Sequence, residues 1–252
     1  MQIEPIVLLP SDLTRNICKQ FGVGPNLFNA PDASVQTLAD SITPYFTELE
    51  SKDGSRSVGI PLLVHRRCSE PMFSIANAVA YDHLMVHAKH SGKSSIRECL
   101  GPSTWFDISD QAEDKWCPEE GEKLLELLLK LRTKTAPPDL FIVTPFTTVG
   151  DRVRKLINES HILQSWGVQE DYRWLFERVG TIHTMQGREA EAVIVVLGAP
   201  SKEQNGARHW AGSKPNLLNV AVTRAKEVIY VIGNKTQWSE AGVFRELSES
   251  IR

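Results

Sequence analysis

The sequence predicts an α/β fold, with a mostly parallel sheet covered by helices on both faces. Short runs of apolar, β-branched residues, such as 140–143 and 192–197, alternate along the chain with longer helix-like stretches. Strands that are apolar throughout are typical of a parallel sheet buried on both sides. Because parallel neighbours are joined by right-handed helical crossovers, this order of elements implies three layers.

The first elements are marked by apolar spacing and by turn residues. The pattern predicts a strand at 6–9, a helix at 12–21 with Ser11 as its N-cap, and a second helix at 35–46. The polar, turn-rich run 51–57 follows and predicts a flexible joint.

The remaining elements continue the alternation. Further strands are predicted at 60–65, 105–108, 140–143, 180–183, 192–197 and 228–232. Further helices are predicted at 69–81, 118–134, 149–163 and 215–226, with a last helix at the end of the chain. The helix that starts at Pro118 is the best marked, because Glu119 and Glu120 open it and basic residues close it, an order that complements the helix dipole.

Composition excludes several classes of protein. The 252 residues are 41% hydrophobic and 23% charged, with a net charge of −3, which is typical of a folded globular chain and not of a disordered one. No apolar run reaches 18 residues, so no membrane span is expected. The four cysteines contain no C-x-x-C pair, which favours a reducing, cytoplasmic location. The histidines His83, His87 and His90 recur at helical spacing without an acidic or cysteine partner, so they predict a polar helix face and no metal site.

Three loops carry unusual chemistry, at 64–71, 181–189 and 219–225. In parallel sheets, ligands bind at the carboxyl ends of the strands. We therefore expect all three loops to lie at that edge.

These loops resemble helicase motifs. The runs T-I-H-T-M-Q-G-R-E at 181–189 and N-V-A-V-T-R-A-K at 219–226 resemble motifs V and VI of superfamily 1 helicases. H-R-R-C-S-E-P at 65–71 resembles motif IV of the branch that contains the RNA-surveillance helicases, and V-T-P-F at 143–146 resembles its T-P-[YF] segment. Q-I-E-P at 2–5 is similar to the end of motif III, and all five segments occur in the family's order.

The resemblance implies the C-terminal RecA-like lobe of a two-lobed helicase. Residues 1–58 would then be a leader that includes the end of motif III and the inter-lobe connection, and 59–252 the second lobe. In this family ATP and Mg²⁺ lie between the lobes, and the first lobe carries G-x-x-x-x-G-K-[ST] and an Asp-Glu pair. Here Gly92-Lys93-Ser94 mimics the end of that motif, but His87 replaces its first glycine. The segment before it predicts helix and polar loop, so we expect no phosphate loop, no cofactor held by this chain alone and no ATPase activity without the missing lobe.

The resemblance also implies roles at the nucleotide. Arg224 matches the motif VI arginine finger, and Arg67, or alternatively Arg66, matches the motif IV arginine near the γ-phosphate; the other interpretation is ordinary surface ion pairs. Glu189 matches the motif V carboxylate that binds the ribose, or is simply solvated. Gly187 would allow close backbone approach, and Gln2 matches the motif III glutamine that senses the γ-phosphate.

Single-stranded DNA or RNA is the second expected ligand. Thr144, Thr181 and His183 match positions that contact the strand's backbone, although His183 is equally well explained as a partly buried histidine. Trp166, Trp174, Trp210 and Trp238 are predicted to be core or surface packing residues that do not stack on bases. Two rival functions remain open: a non-catalytic RecA-like module that binds nucleic acid or a partner, and a folded remnant with no activity.

Overall fold

The structure is a computed structural model that describes residues 11–24, 35–51, 54–59, 63–132, 136–185 and 187–251. Contacts divide the chain into two units, which part between Leu63 and Val64. The strand predicted at 6–9 lies outside the described residues.

The N-terminal unit contains two helices and a hairpin: α1 Ser11–Gln20, α2 Val35–Ile42, β1 Thr47–Ser51 and β2 Gly54–Val58. The prediction that α2 continues to Phe46 is wrong, because Pro44 disfavours helical conformations in the residue before it. The prediction of a joint at 51–57 is also wrong, since β1 and β2 pair antiparallel there, with Thr47 opposite Val58. A D-G pair is typical of a hairpin as well as of a linker.

The larger unit, Val64–Arg252, carries the remaining elements. Its strands are β3 Val64–His65, β4 Val86–His87, β5 Thr104–Asp107, β6 Leu140–Thr144, β7 Val179–Thr181, β8 Ala190–Val196 and β9 Ala225–Gly233. Its helices are α3 Met72–Ala80, α4 Ser95–Leu100, α5 Pro118–Leu131, α6 Thr147–Glu159, α7 Ile162–Ser165, α8 Asp171–Arg178, α9 Asn205–Gly212, α10 Pro215–Arg224, α11 Lys235–Ser239 and α12 Phe244–Ser250, with a 3₁₀ turn at Lys202–Gln204.

Five parallel strands form the central sheet, in the order β5-β9-β8-β6-β7. The register places Ile142 opposite Ile194 and Ile194 opposite Tyr230. Every residue of β6 is buried, as are nearly all residues of β8 and β9. This confirms the predicted fold class, and it explains why these three strands are mostly apolar.

Helices cover the sheet in two groups. Helices α3 and α10 pack on each other, and α10 also packs on β8. In the second group, α5 packs on α4, on α6 and on strands β8 and β9. The buried apolar residues of the sheet and both groups form one continuous core. In the described part of the chain, no helix has the length and apolar character that a membrane crossing requires.

Some local predictions are corrected. Helix α3 begins at Met72 and not at Ser69, because Pro71 disfavours the helical conformation in the residue before it, Glu70. The helix predicted at 149–163 is interrupted at His161, whose φ is +56°. The polar helix face of histidines is wrong: α3 ends at Ala80, and His87 lies in β4. Among the described residues, no group of three His, Cys, Asp or Glu side chains could hold a metal ion.

The strand predicted at 60–65 does not join the central sheet. Its described part, β3, pairs in parallel with β4 in a separate two-stranded sheet. The chain therefore enters the 65–71 loop from outside the main sheet.

Candidate functional site

Three predicted site residues meet where two central strands begin. Strands β8 and β9 start side by side, with Ala190 paired to Ala225. Glu189 directly precedes β8, and Arg224 is the last residue of α10 before β9. The loop after β3 brings Arg67 to the same place, where its Nε lies 3.4 Å from Glu189 Oε2. We call Arg67, Glu189 and Arg224 the amino-edge cluster.

Arg224 is the buried member of this cluster. The residue is only 4% exposed, and its Nη1 donates to the carbonyl oxygen of Arg188 at 2.9 Å. Its Nε has no hydrogen-bond partner among the described residues. Burial lowers the pKa of Arg224, the positive charge of Arg67 lowers it further, and the Glu189 carboxylate opposes both effects. The free Nε–H suits an anionic ligand such as a phosphate, but the side chain must first be uncovered to reach one.

Glu189 holds two cations near the cluster. Besides Arg67, the Nζ of Lys226 lies 3.8 Å from its other carboxylate oxygen. Sequence reasoning did not single out Lys226, although it belongs to the same N-V-A-V-T-R-A-K run as Arg224. Arginine is the stronger sequence signal for a phosphate site, because guanidinium can bind phosphate with two parallel donors, whereas an ammonium acts as a point charge.

Gly187 lies two residues before Glu189 in an exposed turn. Its φ is +89°, and a Cβ added there would meet open space. Backbone conformation, and not crowding, therefore explains the glycine. Gln2 and Gln186 lie outside the described residues.

The loop 92–94, which mimics the end of a phosphate loop, binds the chain's own carboxylates. Gly92 N donates to Glu227 Oε2 at 2.8 Å, and the hydroxyl of Ser94 donates to Glu191 Oε1 at 2.6 Å. Ser94 also caps α4. The prediction of helix and polar loop upstream is wrong, since strand β4 precedes this loop. The Gly92 amide, which would bind a phosphate in a phosphate loop, instead donates to the Glu227 carboxylate.

The predicted residues lie at two opposite edges of the sheet. The expectation that all three loops sit at the carboxyl edge is wrong for Glu189 and Arg224, which lie at the amino edge. The segment after β7 starts at the carboxyl edge but must return before β8 begins, because the strands are parallel. Helix α10 makes the same return before β9.

At the carboxyl edge, Thr144 and Thr181 are register partners on β6 and β7. Thr144 is 2% exposed, and its Oγ1 accepts a hydrogen bond from Phe146 N at 3.3 Å. The carbonyl of Thr181 accepts from Thr184 Oγ1 at 2.8 Å. Both threonines therefore shape the turns that follow their strands, and Thr144 is buried while doing so.

His183, the third predicted residue here, is exposed and follows β7. Its ring lies nearly parallel to that of Trp210, with the centroids 6.3 Å apart and an angle of 21° between the planes. The partial burial of its ring lowers the pKa of His183. Trp210 was predicted only as a core or surface packing residue. It is 55% exposed.

Comparison with known proteins assigns the chain to a family. The family described as an AAA domain matches residues 44–236, which is most of the sequence. The chain belongs to this AAA domain family.

Parts of the AAA domain also resemble two proteins named as helicases. The ATP-dependent helicase MJ0104 of Methanocaldococcus jannaschii is 30% identical over 130 residues, which are 51% of this chain and 16% of that protein. A Danio rerio protein named helicase mov-10-B.1 is 30% identical over 142 residues, which are 55% of this chain and 13% of that protein. The AAA domain is therefore helicase-like, and its match spans less than a fifth of either relative.

Proposed function

We propose that this AAA domain is the second motor lobe of an ATP-dependent superfamily 1 helicase. In this proposal, Arg67 and Arg224 supply positive charge to the γ-phosphate of an ATP held by a first lobe. The observation that carries it is the amino-edge cluster, in which Arg67, Glu189 and Arg224 meet from three separate segments. Phosphoryl transfer is accelerated by fixed positive charge at the transferring group, and arginine is suited to this because it stays ionised.

The remaining amino-edge residues fit nucleotide contacts. Glu189 has carboxylate oxygens that can accept from ribose hydroxyls, and its side chain is 45% exposed. Gly187 leaves its turn open to close backbone approach. Lys226 adds a third positive charge for the phosphates. Gln2 is proposed to contact the γ-phosphate, on the basis of the sequence resemblance alone.

ATP and Mg²⁺ are proposed to bind through the first lobe. The 252 residues contain no G-x-x-x-x-G-K-[ST] run, and the loop 92–94 that comes nearest to it is bonded to Glu227. Residues 1–58 would connect to that lobe, with 59–252 forming the second. The chain alone is then expected to show no magnesium-dependent ATP hydrolysis.

Single-stranded DNA or RNA is proposed to bind at the opposite edge of the sheet. Thr181 and His183 are accessible there, and Thr144 supports the turn at Phe146. Nucleotide and strand would thus contact opposite ends of the same parallel strands. A conformational change caused by nucleotide binding at one edge can be transmitted to the strand-binding edge through the rigid β-strands and the helices packed on them.

A non-catalytic nucleic-acid-binding module is the second candidate. The observation that favours it is the burial of Arg224, since a side chain that is 4% exposed must be uncovered before it reaches a phosphate. The two candidates differ in what loss of Arg224 does to ATP turnover.

The experiment joins the chain to a first helicase lobe and measures ATP hydrolysis with and without single-stranded nucleic acid. The R67A and R224A variants are compared with R173A, which removes an exposed arginine that pairs with Glu170 and Glu177 on α8. The motor proposal expects strand-stimulated hydrolysis that R67A and R224A abolish and R173A preserves. Hydrolysis that is unchanged in R224A would contradict the arginine role and favour the binding module.

A further inference from the structure

An exposed aromatic surface lies at the carboxyl edge of the sheet. Trp210 is 55% exposed, and its ring is flanked by His183 at 6.3 Å and by Phe146 at 6.2 Å between centroids. Phe146 in turn contacts the fully buried Trp238, at 6.2 Å. We call Trp210, His183 and Phe146 the aromatic platform.

The platform is held on rigid supports. On α9, Arg208 is 1% exposed and its guanidinium donates to the carbonyls of Ala199 and Ser201, both at 2.6 Å. Gly212 ends the same helix so close to the backbone of Ala241 that a Cβ there would collide with it. Helix α9 is therefore fixed against the core on one side, while Trp210 projects from the other.

The histidine side of the platform is equally well fixed. Ile182 N donates to the carbonyl of Thr144 at 3.1 Å, and the Thr184 amide and hydroxyl both bond to Thr181. His183 sits between these anchored residues. The two proposed strand-contacting threonines thus hold the backbone that presents the imidazole ring.

Trp210 stays 55% exposed although His183 and Phe146 flank its ring, and exposing that much of an indole costs free energy that burial would recover. Nucleobases stack on exposed aromatic rings whatever their sequence, because every base has a π face. The ammonium of Lys115, which pairs with Asp114 at 3.4 Å, also lies 5.8 Å from the centre of the Phe146 ring. These features together are typical of a single-strand binding surface.

We propose that Trp210, together with His183, forms a stacking site for the bases of a single strand. This inference rests on the proposed function. That proposal places the backbone of a single strand at this edge of the sheet, and the inference adds that its bases stack on Trp210 and His183. Thr181 and neighbouring backbone groups would hold the phosphates, while the indole face receives a base. DNA and RNA share this chemistry, so the stacking itself does not choose between them.

The test measures binding of the full 252-residue chain to fluorescein-labelled single strands by anisotropy. The probes are a 12-nucleotide oligo(dT), an oligo(U) of the same length and an abasic strand of the same length and charge. The variants are W210A, W210F and H183A. The matched control is F176A, which removes an exposed aromatic side chain from α8.

Stacking predicts that the wild type binds base-bearing strands about 5- to 100-fold more tightly than the abasic strand. W210A should lose most of that preference and H183A part of it, while W210F retains it and F176A changes nothing. Strand-induced quenching of tryptophan fluorescence should fall in W210F even though its affinity is kept. Tighter binding of oligo(U) or of oligo(dT) then shows whether the preferred strand is RNA or DNA.

Two outcomes would overturn the inference in different ways. If wild type and W210A bind all strands equally well, the strand contacts phosphates only, and the proposed nucleic-acid function survives without the platform. If no strand binds at all, or if a proline-rich peptide binds W210 in place of a strand, both the stacking site and the nucleic-acid part of the proposed function fail.

Discussion

Arg67 and Glu189 form an ion pair between two loops that are far apart in the sequence, with 3.4 Å between Nε and Oε2. Both side chains are about half exposed. Water screens such a pair, so its contribution to stability is small. The position of the pair beside Arg224 is consistent with the nucleotide role proposed for the amino-edge cluster.

The first prediction concerns the stability of this pair. R67A and E189Q should each change the free energy of unfolding by less than about 1 kcal/mol, because exposed ion pairs contribute little. Urea denaturation measures this directly, with R173A as the control. A loss of several kcal/mol in either variant would mean that the pair is structural.

The second prediction concerns Glu120, which is completely buried on α5. Its Oε2 accepts from Gly198 N at 2.8 Å, and its Oε1 has no partner among the described residues. Burial raises the pKa of this carboxyl from 4.5 to about 8. The folded state therefore keeps a proton that the unfolded state loses, so the free energy of unfolding should fall as the pH rises from about 4.5 to 8.

The E120Q variant isolates this effect because its amide stays neutral. Relative to E120Q, the wild type should lose on the order of a few kcal/mol of stability between pH 5 and pH 8. Urea denaturation at several pH values in this range gives the comparison. Parallel stability profiles for the two proteins would rule out a buried, proton-binding carboxyl.

The third prediction concerns two glycines and separates the effect of backbone conformation from the effect of the space available to a Cβ. Gly187 and Gly206 both have open space where a Cβ would be, but only Gly187 has a positive φ, of +89°. G187A should destabilise the protein by about 1 kcal/mol or more through backbone strain. G206A, within α9, should be neutral or stabilise by up to about 1 kcal/mol. Thermal unfolding distinguishes them, and equal effects would contradict the assigned backbone role of Gly187.

The three middle strands of the central sheet, β6, β8 and β9, could be predicted from the sequence because each contains a continuous apolar run. Helix α5 could be predicted as well, from Pro118 and the charges at its two ends. The short helices α8 and α9 were missed, since Tyr172, Phe176 and Trp210 are exposed on them and blur the apolar period. Glu120 was identified only as an acidic residue of the first turn of α5, and its burial against Gly198 has no signal in the sequence.

The sequence predicts which residues form the candidate site, but not the edge of the sheet at which they meet. Local motifs identify Arg67, Glu189 and Arg224, and the structure brings the three together. The edge at which they meet depends on where each segment crosses the sheet, which no local pattern contains. Trp210 carries no sequence signal that separates it from a packing residue, because its exposure depends on how Arg208 and Gly212 fix α9.

The role of Arg224 is tested most directly by the rate of strand-stimulated ATP hydrolysis in the chain joined to a first lobe. We predict that R224A lowers kcat by roughly 10³-fold or more, the scale expected for an arginine finger, while R173A stays within about twofold of the wild type. An R224A rate equal to that of the wild type would contradict the account.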